Sequence, residues 1–385
     1  MQLKLEPSVS TRTILNPLVG IPALVGLLLV GGCALLAPAP KITHHFDNLV
    51  VMDIPAIKNY ERSVLGQIRI CQTFYRSYND DFDVVLILAN IPWGGERYNA
   101  LRTRGQMNLV RNSVQGTGIR EIDSGNRYGS LIKLKGILYL PTIYSILLGA
   151  SLHEIAHLWV INSRILPTTM KDHWGFSSVN GSLGGFDIAT LVDLGNNRFS
   201  AAPFTPNAAY PLKNSKPYSE LELYLSGFIP IEEVPDIWVA EDGKYSYESR
   251  GVVEKDRNHN FVFQAKKISI WSGKKIVEKL GPRIPGYEDS QKSFRLAVIA
   301  INNKRNPLKD RDIRYVTKAI ELFTEEKSVI DVDNITIESP GRTERWAFPS
   351  GIYNFWDATG GRGTLDADIA SSRKETQEAV PSTAN

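Results

Sequence analysis

The first part of the chain alternates between strand-like and helix-like patterns of apolar residues. Residues 46–53 predict a strand, and residues 83–90 hold a continuous apolar run of strand length that is bounded by Asp83 and Pro92. Between them, residues 55–78 have apolar side chains every three or four positions, at Ile57, Tyr60, Val64, Ile68, Cys71 and Tyr75. This spacing predicts a helix with one buried face. A helix that joins two such strands predicts a parallel crossover unit.

Residues 142–163 are apolar at nearly every position, apart from a few His, Glu and Ser residues. The preceding run, residues 134–140, predicts a strand that Pro141 ends. Residues 94–130 are rich in Gly, Arg, Asn and Ser and predict loops with short edge strands. A helix that is apolar on all sides belongs in the interior of a domain. We therefore expect residues 142–163 to form one buried helix.

The second half of the chain is predicted to contain more strands than helices. Residues 171–185 are polar and glycine-rich, which predicts a loop close to the buried helix. A short helix-like segment at residues 218–228 is ended by Gly227 and Pro230. Strand-like segments follow at residues 244–253, 261–271 and 294–302, then a helix at 312–323 and a polar tail, residues 371–385, that we expect to be disordered. Together these patterns predict an α+β fold.

The first 33 residues have the layout of an export signal. Lys4 and Arg12 precede an apolar run, and Val30-Gly31-Gly32-Cys33 is similar to a bacterial lipobox, in which the cysteine is acylated after cleavage. An uncleaved membrane anchor is an alternative, because residues 14–38 carry no charge, and simple secretion is a third interpretation. All three predict export. A lipoprotein or an anchored protein would be held at the membrane of the cell envelope through this segment.

Composition changes this picture little. A chain of 385 residues can bury one large core or two modest ones. Its 44 basic and 41 acidic residues leave a net charge of only +3, which argues against a nucleic-acid partner. Cys71, the second of the two cysteines, lies on a predicted helix and is interpreted as a small buried side chain. The oligomeric state does not follow from the sequence.

The candidate chemistry lies within the predicted buried helix, at His153-Glu154-Ile155-Ala156-His157. Residues four apart share a helix face, so His153 and His157 can bind one metal ion while Glu154 reaches a water molecule on it. Zinc would lower the pKa of that water, and Glu154 would take its proton as the water attacks a carbonyl. The alternative is a structural polar cluster, but these side chains would cost several kcal/mol if they were buried without partners. We therefore predict a metal site.

A catalytic zinc site needs a third protein ligand and an open position for water. His173 lies 16 residues after His157, in the polar loop, which is far enough for the chain to turn back over the ion. The alternative interpretation of His173 is a surface histidine. Four carboxylates are the other candidate ligands: Asp172, Asp187, Glu220 and Glu222.

The motif on a helix after a mixed sheet resembles the zincin superfamily of metallopeptidases. The metzincin form is excluded, because Val160 and Ser163 occupy the positions where it has Gly and then His or Asp, and no methionine follows Met170. The chain is more similar to a group of exported bacterial zincin-like proteins over about residues 145–300. The segments that carry the resemblance are His173-Trp174, Gly184-Gly185, Tyr218-Ser219-Glu220-Leu221-Glu222-Leu223-Tyr224-Leu225-Ser226-Gly227-Phe228, Pro230, Glu233-Val234-Pro235, Gly281-Pro282-Arg283, Pro285 and Ser290-Gln291-Lys292. That group has Asp at Glu222 and Met at Ser226, so the floor of the site can differ here.

The resemblance implies a zincin-like mixed sheet with a buried active-site helix over residues 45–240. A smaller strand-rich part would follow at residues 241–330 and could pack onto this core. The remaining divisions would be a signal or anchor at 1–33, a linker at 34–44 and an extension with the disordered tail at 331–385.

The resemblance also implies the chemistry of the site. Zn²⁺ would be held by His153, His157 and His173, with Glu154 as the general base, and Tyr218 or Tyr224 would donate a hydrogen bond to the oxyanion. Aromatic packing beside the helix is an equally good interpretation of each tyrosine. The expected activity is hydrolysis of peptide bonds in a peptide or protein substrate. The alternatives are a non-catalytic binding or assembly protein of the envelope and a zinc amidase that acts on cell-wall peptides.

Overall fold

The computed structural model describes residues 37–91, 105–160, 165–168, 173–202, 214–249, 251–302, 304, 306–331, 334–339, 342–347 and 351–375. Contacts within the chain define two compact units, Met1–Pro38 and Ala39–Asn385, and all the described helices and strands belong to the second. The predicted export signal with Cys33 lies outside the described residues. Within those residues, no helix has the length and apolar character required to cross a membrane.

The described residues combine helices with a large mixed sheet and several small antiparallel sheets, which confirms the predicted α+β class. The strands are β1 (Lys41–His45), β2 (Val50–Asp53), β3 (Val84–Leu88), β4 (Gln106–Leu109), β5 (Arg111–Asn112), β6 (Ile122–Asp123), β7 (Gly136–Leu140), β8 (Val192–Gly195), β9 (Arg198–Ala201), β10 (Ile237–Glu241), β11 (Lys244–Tyr245), β12 (Phe261–Gln264), β13 (Lys267–Trp271), β14 (Ser293–Asn302), β15 (Asn334–Ser339), β16 (Arg342–Ala347) and β17 (Thr364–Asp366). The α-helices are α1 (Val64–Ser77), α2 (Gly125–Tyr128), α3 (Ser145–Leu148), α4 (Ser151–Ala156), α5 (Glu220–Ser226), α6 (Gly273–Leu280), α7 (Asp310–Thr324) and α8 (Phe355–Ala358). Short 3₁₀ helices lie at Tyr60–Arg62, Ile188–Thr190, Ile231–Glu233 and Ala370–Ser372.

The large sheet has the strand order β1-β2-β14-β3-β7-β4, with β17 pairing with the first residues of β14. The inner strands β2, β14, β3 and β7 are parallel, whereas β1 and β4 are antiparallel to their neighbours. All five residues of β3 and of β7 are buried. Parallel strands that are covered on both faces consist mainly of apolar residues. This composition predicted β3 and β7.

The two faces of the sheet are covered by different helices, because alternate side chains of a strand point to opposite faces. On one face, Ile70 and Phe74 of α1 pack in one apolar cluster with Val85 and Ile87 of β3. On the other face, Leu86 and Leu88 of β3 belong to the cluster that contains α4 and α7. Helix α1 begins later than the sequence predicts, at Val64, where the hydroxyl of Ser63 accepts a hydrogen bond from the backbone N–H of Gly66.

A smaller antiparallel sheet, in the order β11-β12-β9-β8, lies beside a third cluster of buried side chains. Aromatic rings make up most of this cluster, namely Phe176, Phe186, Phe199 and Phe263. Phe176 lies within the glycine-rich loop, residues 171–185, that was predicted to lie near the buried helix, and Phe186 directly follows that loop. The small sheet therefore supports that loop from one side.

The boundary expected near residue 240 does not coincide with a boundary of the large sheet, because the sheet contains strands from both sides of it. Strand β14 comes from the segment assigned to the strand-rich second part, yet it lies between β2 and β3 and is hydrogen-bonded to both. Strand β1 likewise begins at Lys41, inside the segment predicted as a linker. The order of strands along the chain does not predict which strands become neighbours in the sheet. Strands β3 and β14 pair although they are more than 200 residues apart in sequence.

The prediction of one continuous helix over residues 142–163 is wrong. The structure has two short helices, α3 and α4, with a break at Gly149. In a continuous helix the carbonyl of Ile146 would accept a hydrogen bond from the backbone four residues later. Instead it accepts from the hydroxyl of Ser151 at 2.6 Å and from the side-chain amide of Asn214 at 2.7 Å. Residues 161–163 of the predicted helix lie outside the described residues.

Part of the tail that was predicted to be disordered is ordered against α1. The backbone N–H of Lys374 donates to the carbonyl of Ser77 at 2.9 Å, and its ammonium donates to the carbonyl of Tyr75 at 2.8 Å. The carbonyl of Ser372 accepts a hydrogen bond from the backbone N–H of Asn79. Carbonyl groups near the end of α1 attract this segment, which composition alone does not reveal. Residues 376–385 lie outside the described residues.

Candidate metal centre

Helix α4 carries the His-Glu-x-x-His motif and is held in place by polar contacts at its start. The backbone N–H of Leu152 donates to the side-chain oxygen of Asn214 at 3.1 Å, and the hydroxyl of Ser151 donates to the carbonyls of Ser145 and Ile146. The apolar side chains of Leu152, Ile155 and Ala156 are buried in the main cluster. His153 lies within the helix, and His157 is its C-terminal capping residue.

The structure brings three histidines together. One ring nitrogen from each of His153, His157 and His173 lies within 4.8 Å of the others, and among the described residues this is the only group of three or more His, Cys, Asp or Glu side chains arranged to hold a metal ion. The Nε2 atoms of His153 and His173 are 3.2 Å apart. The ring centroids of the three imidazoles are separated by 5.1 to 5.4 Å.

Two of the imidazoles are oriented by backbone carbonyls. Nδ1 of His153 lies 3.0 Å from the carbonyl oxygen of Ser182, and Nδ1 of His157 lies 2.5 Å from that of Val160. A carbonyl oxygen can only accept, so each Nδ1 carries the proton and each Nε2 presents a lone pair. This arrangement, in which the second ring nitrogen donates to a fixed acceptor, is typical of metal-binding histidines.

Burial favours the neutral form of His153 and of His157. It lowers the pKa of His153 well below its usual value, and the neighbouring His157 and His173 lower it further, while the hydrogen bond to Ser182 opposes the change. Burial likewise lowers the pKa of His157 to about 4, against the opposing hydrogen bond to Val160. Neutral imidazole is the form that binds a metal, so the ligand form is present at neutral pH.

This set of donors fits zinc. Three imidazole nitrogens with room for a fourth ligand form the usual coordination of catalytic zinc. With Zn–N bonds of about 2.0–2.1 Å and tetrahedral angles, two ligand nitrogens would be about 3.3 Å apart. The 3.2 Å between the Nε2 atoms of His153 and His173 is close to that separation.

Glu154 lies beside the histidines at a cavity of about 290 Å³, whose walls are Gly105, Gln106, Met107, His153, Glu154, His157 and His173. Only 7% of the Glu154 surface is exposed. Burial raises the pKa of Glu154 to about 8, while a hydrogen bond from the backbone N–H of Met107 and the charge of Arg62 oppose that rise. A carboxylate with a pKa near neutrality is suited to accept and release a proton.

Gly105 is a site residue that the sequence did not indicate. A Cβ atom at this position would lie 2.4 Å from Cγ and 2.6 Å from Oε1 of Glu154. Glycine therefore lets the chain that leads into β4 approach the carboxylate closely. The sequence carries no signal for this contact, because the two residues are 49 positions apart and meet only in the folded chain.

The structure does not bring the predicted catalytic tyrosines to the cavity. The Tyr218 hydroxyl donates to the carbonyl of Leu152 on α4 at 2.9 Å, so its hydrogen bond stabilises the helix. Tyr224 is also buried, and its hydroxyl interacts with the backbone of Arg283. Neither is among the described residues that line the cavity. Their aromatic character and their place in the motif predicted proximity to α4, but not the direction of the hydroxyl groups.

Three of the four carboxylates named as alternative third ligands lie within the described residues, and none of these three joins the histidines. Asp187 accepts a hydrogen bond from the backbone N–H of Ala189 at the start of a 3₁₀ helix. Glu220 is exposed on the first turn of α5, and Glu222 is buried and hydrogen-bonded elsewhere. Asp172 lies outside the described residues.

Comparison with protein-family models, with curated proteins and with solved structures gives no match to this chain. We therefore infer the function from the geometry of the site.

Proposed function

We propose that the protein is a zinc-dependent peptide hydrolase. The observation that supports this most strongly is the convergence of His153, His157 and His173 beside the buried carboxylate of Glu154 at one cavity. The resemblance of residues 145–300 to exported zincin-like proteins agrees with this proposal. A zinc ion bound by the three imidazoles would supply a Lewis acid that acidifies water and polarises a carbonyl group.

Glu154 is the proposed general base. Its carboxylate faces the same cavity as the histidine ring nitrogens, and its raised pKa allows it to hold a proton that it takes from water. The backbone N–H of Met107 fixes the carboxylate by a hydrogen bond. Glu154 would then give the proton to the leaving amine, which needs no further titratable group.

Strand β4 is the proposed binding surface for the substrate. Gly105, Gln106 and Met107 line the cavity, and β4 forms the end of the large sheet in the described part of the chain, where it pairs with β7 alone. An extended peptide can add to such an edge through main-chain hydrogen bonds. A peptide in that position would run past the histidines and Glu154.

Metal content and turnover of the full-length chain test the proposal. We expect one zinc ion per chain, strongly reduced in His157→Ala, and cleavage of peptides from a mixed library. Glu154→Gln should retain the metal but lose about 10²–10⁴-fold in turnover. Glu248→Gln, which changes an exposed glutamate, is the matched control and should behave as the wild type does. Absence of stoichiometric zinc in the wild type would contradict the proposal.

A non-catalytic binding protein is the second candidate, and the placement of the tyrosines supports it. Neither Tyr218 nor Tyr224 reaches the cavity to stabilise an oxyanion. Stoichiometric zinc without cleavage of any library peptide would favour this candidate. Release of peptides from purified peptidoglycan, but not from the library, would instead favour a zinc amidase.

We also propose that the protein is an exported lipoprotein, on the basis of the lipobox-like segment that ends at Cys33. Labelled fatty acid should be incorporated into the wild type and not into Cys33→Ser. Equal labelling of both proteins would contradict acylation at this cysteine.

A further inference from the structure

Glu222 is a carboxylate that the proposed chemistry does not use, although it is almost fully buried, with 2% of its surface exposed. It lies in the first turn of α5 and accepts four N–H hydrogen bonds. Oε1 accepts from the indole of Trp174 at 2.8 Å and from the backbone of Leu183 at 2.7 Å. Oε2 accepts from the backbone N–H groups of Ser182 and Ser219, each at 2.9 Å.

These four donors come from two separate segments of the chain. Trp174, which directly follows His173, lies with Ser182 and Leu183 in the glycine-rich loop, and Ser219 is the N-cap of α5. One buried carboxylate therefore connects the loop, the third histidine and a helix. A charge-assisted hydrogen bond is stronger than a neutral one, so the connection is well suited to fix these segments relative to one another.

The connection leads to His153 through a single peptide segment. The backbone N–H of Ser182 donates to Glu222, and the carbonyl of Ser182 accepts from Nδ1 of His153 at 3.0 Å. The position of Glu222 therefore determines where the carbonyl that orients the imidazole lies. Glu222 is also connected to His173, because Trp174, the residue that directly follows His173, donates its indole N–H to Glu222.

Gly181 permits this arrangement. A Cβ atom there would lie 2.2 Å from Oε2 of Glu222 and 2.7 Å from the hydroxyl oxygen of Ser219. The backbone of Gly181 also exchanges two hydrogen bonds with that of Gly184, which closes the loop tightly against the carboxylate. The loop can reach Glu222 only because residue 181 has no side chain.

From these contacts we infer that Glu222 is a positioning residue for the metal centre, acting on His153 through Ser182 and on His173 through Trp174. The inference rests on the proposed function, because it assumes that the three histidines bind zinc. Residues that orient metal ligands typically change metal affinity by about 10–100-fold when they are substituted. We therefore expect Glu222→Gln to weaken zinc binding by about that factor. Glutamine would place an NH₂ group opposite two N–H donors that need an acceptor.

The experiment measures the dissociation constant of zinc for the full-length chain, by competition with a chelator, together with unfolding of the zinc-free protein. The unfolding measurement identifies a temperature at which every variant is folded, and zinc affinity is compared at that temperature. A fully folded protein cannot lose apparent affinity through unfolding alone. The visible spectrum of the cobalt-substituted protein reports the ligand geometry independently of turnover. Glu220→Gln, an exposed carboxylate on the same helix, is the matched control.

Two milder variants perturb the same contacts if Glu222→Gln does not fold. Trp174→Phe removes one donor to Oε1 while keeping an aromatic ring, and Gly181→Ala forces the loop away from Oε2. Both should weaken zinc binding and alter the cobalt spectrum, whereas Glu220→Gln should do neither.

The outcomes distinguish this inference from the proposed function. A wild type that binds no zinc would overturn both. A wild type that binds zinc, with unchanged zinc affinity and cobalt spectra in folded Glu222→Gln, Trp174→Phe and Gly181→Ala, would overturn the positioning role alone. Weaker binding and an altered spectrum in the variants, with Glu220→Gln unchanged, would support the role.

Discussion

Substitution of Gly105 by alanine provides a sharp test of the site geometry. The added methyl carbon would lie 2.4 Å from Cγ, 2.8 Å from Cδ and 2.6 Å from Oε1 of Glu154. These distances are far shorter than the usual carbon–carbon contact of about 3.5–4.0 Å. The atoms are not the free end of a surface side chain, because Glu154 is buried and hydrogen-bonded to Met107. Either the carboxylate or the strand must move.

Two opposing effects determine how Gly105→Ala changes the free energy of unfolding. Overpacking a buried site typically destabilises a protein by about 1–3 kcal/mol. Replacing glycine by alanine at a compatible backbone conformation stabilises by about 0.4–1 kcal/mol through the unfolded chain. The second effect remains when Glu154 is shortened to alanine, whereas the first disappears because Cγ and the carboxylate are gone. Gly105→Ala should therefore destabilise the wild type but not Glu154→Ala.

Denaturant unfolding of the zinc-free protein measures this as a double-mutant cycle. We expect a coupling energy of about 1–3 kcal/mol between residues 105 and 154, well above the roughly 0.5 kcal/mol seen for independent sites. Gly286→Ala is the control, because no described atom lies within 4 Å of the added methyl group. If peptide turnover is present, Gly105→Ala should reduce it about 10²-fold, since displacement by roughly 1 Å has that effect. Equal destabilisation in both backgrounds would refute the proposed contact with Glu154.

Three further substitutions test other parts of the structure. Tyr218→Phe should lower the free energy of unfolding by about 1 kcal/mol, because the bond to Leu152 is lost, and should leave turnover of the zinc-loaded protein unchanged; a large loss of turnover would restore the oxyanion role. Asn214→Ala should cost about 1–3 kcal/mol, because it leaves the buried N–H of Leu152 without its acceptor, as measured by denaturant unfolding. Asn354→Ala removes a buried amide that donates to one carbonyl in the last turn of α7 and to two carbonyls just after it, and should cost at least about 2 kcal/mol, against about 0.5 kcal/mol for the exposed Asn258→Ala; similar values for the two would contradict this reasoning.

The central strands of the large sheet could be predicted because their burial is visible in the sequence. Residues 83–90, 134–140 and 294–302 are mostly apolar, and each contains most or all of a strand of the large sheet, β3, β7 or β14. Their order could not be predicted, since β14 inserts between β2 and β3 through contacts with distant segments. Apolar runs specify that a strand is buried on both faces, but not which neighbours bury it.

The ligands of the candidate site were indicated by helical spacing and by loop length, whereas their supports were not. The structure places His173 beside His153 and His157, as the sequence predicted, and zinc binding itself stays a prediction. Gly105 and the position of Glu222 depend on contacts between segments that are 40 or more residues apart in sequence. A pattern within one helix carries no information about such contacts.

The shortness of α4 explains why these supports matter. A helix of six residues does not form in isolation, because the cost of nucleation exceeds the gain from so few hydrogen bonds. It has no side-chain cap of its own, and the N–H and carbonyl of its second residue, Leu152, are hydrogen-bonded to Asn214 and Tyr218 from another segment. The orientation of His153 is likewise set from outside, by Ser182. The geometry of the motif is therefore a property of the folded domain, so substitutions far from residues 153–157 in sequence should alter metal affinity as strongly as those within the helix that leave the ligands intact.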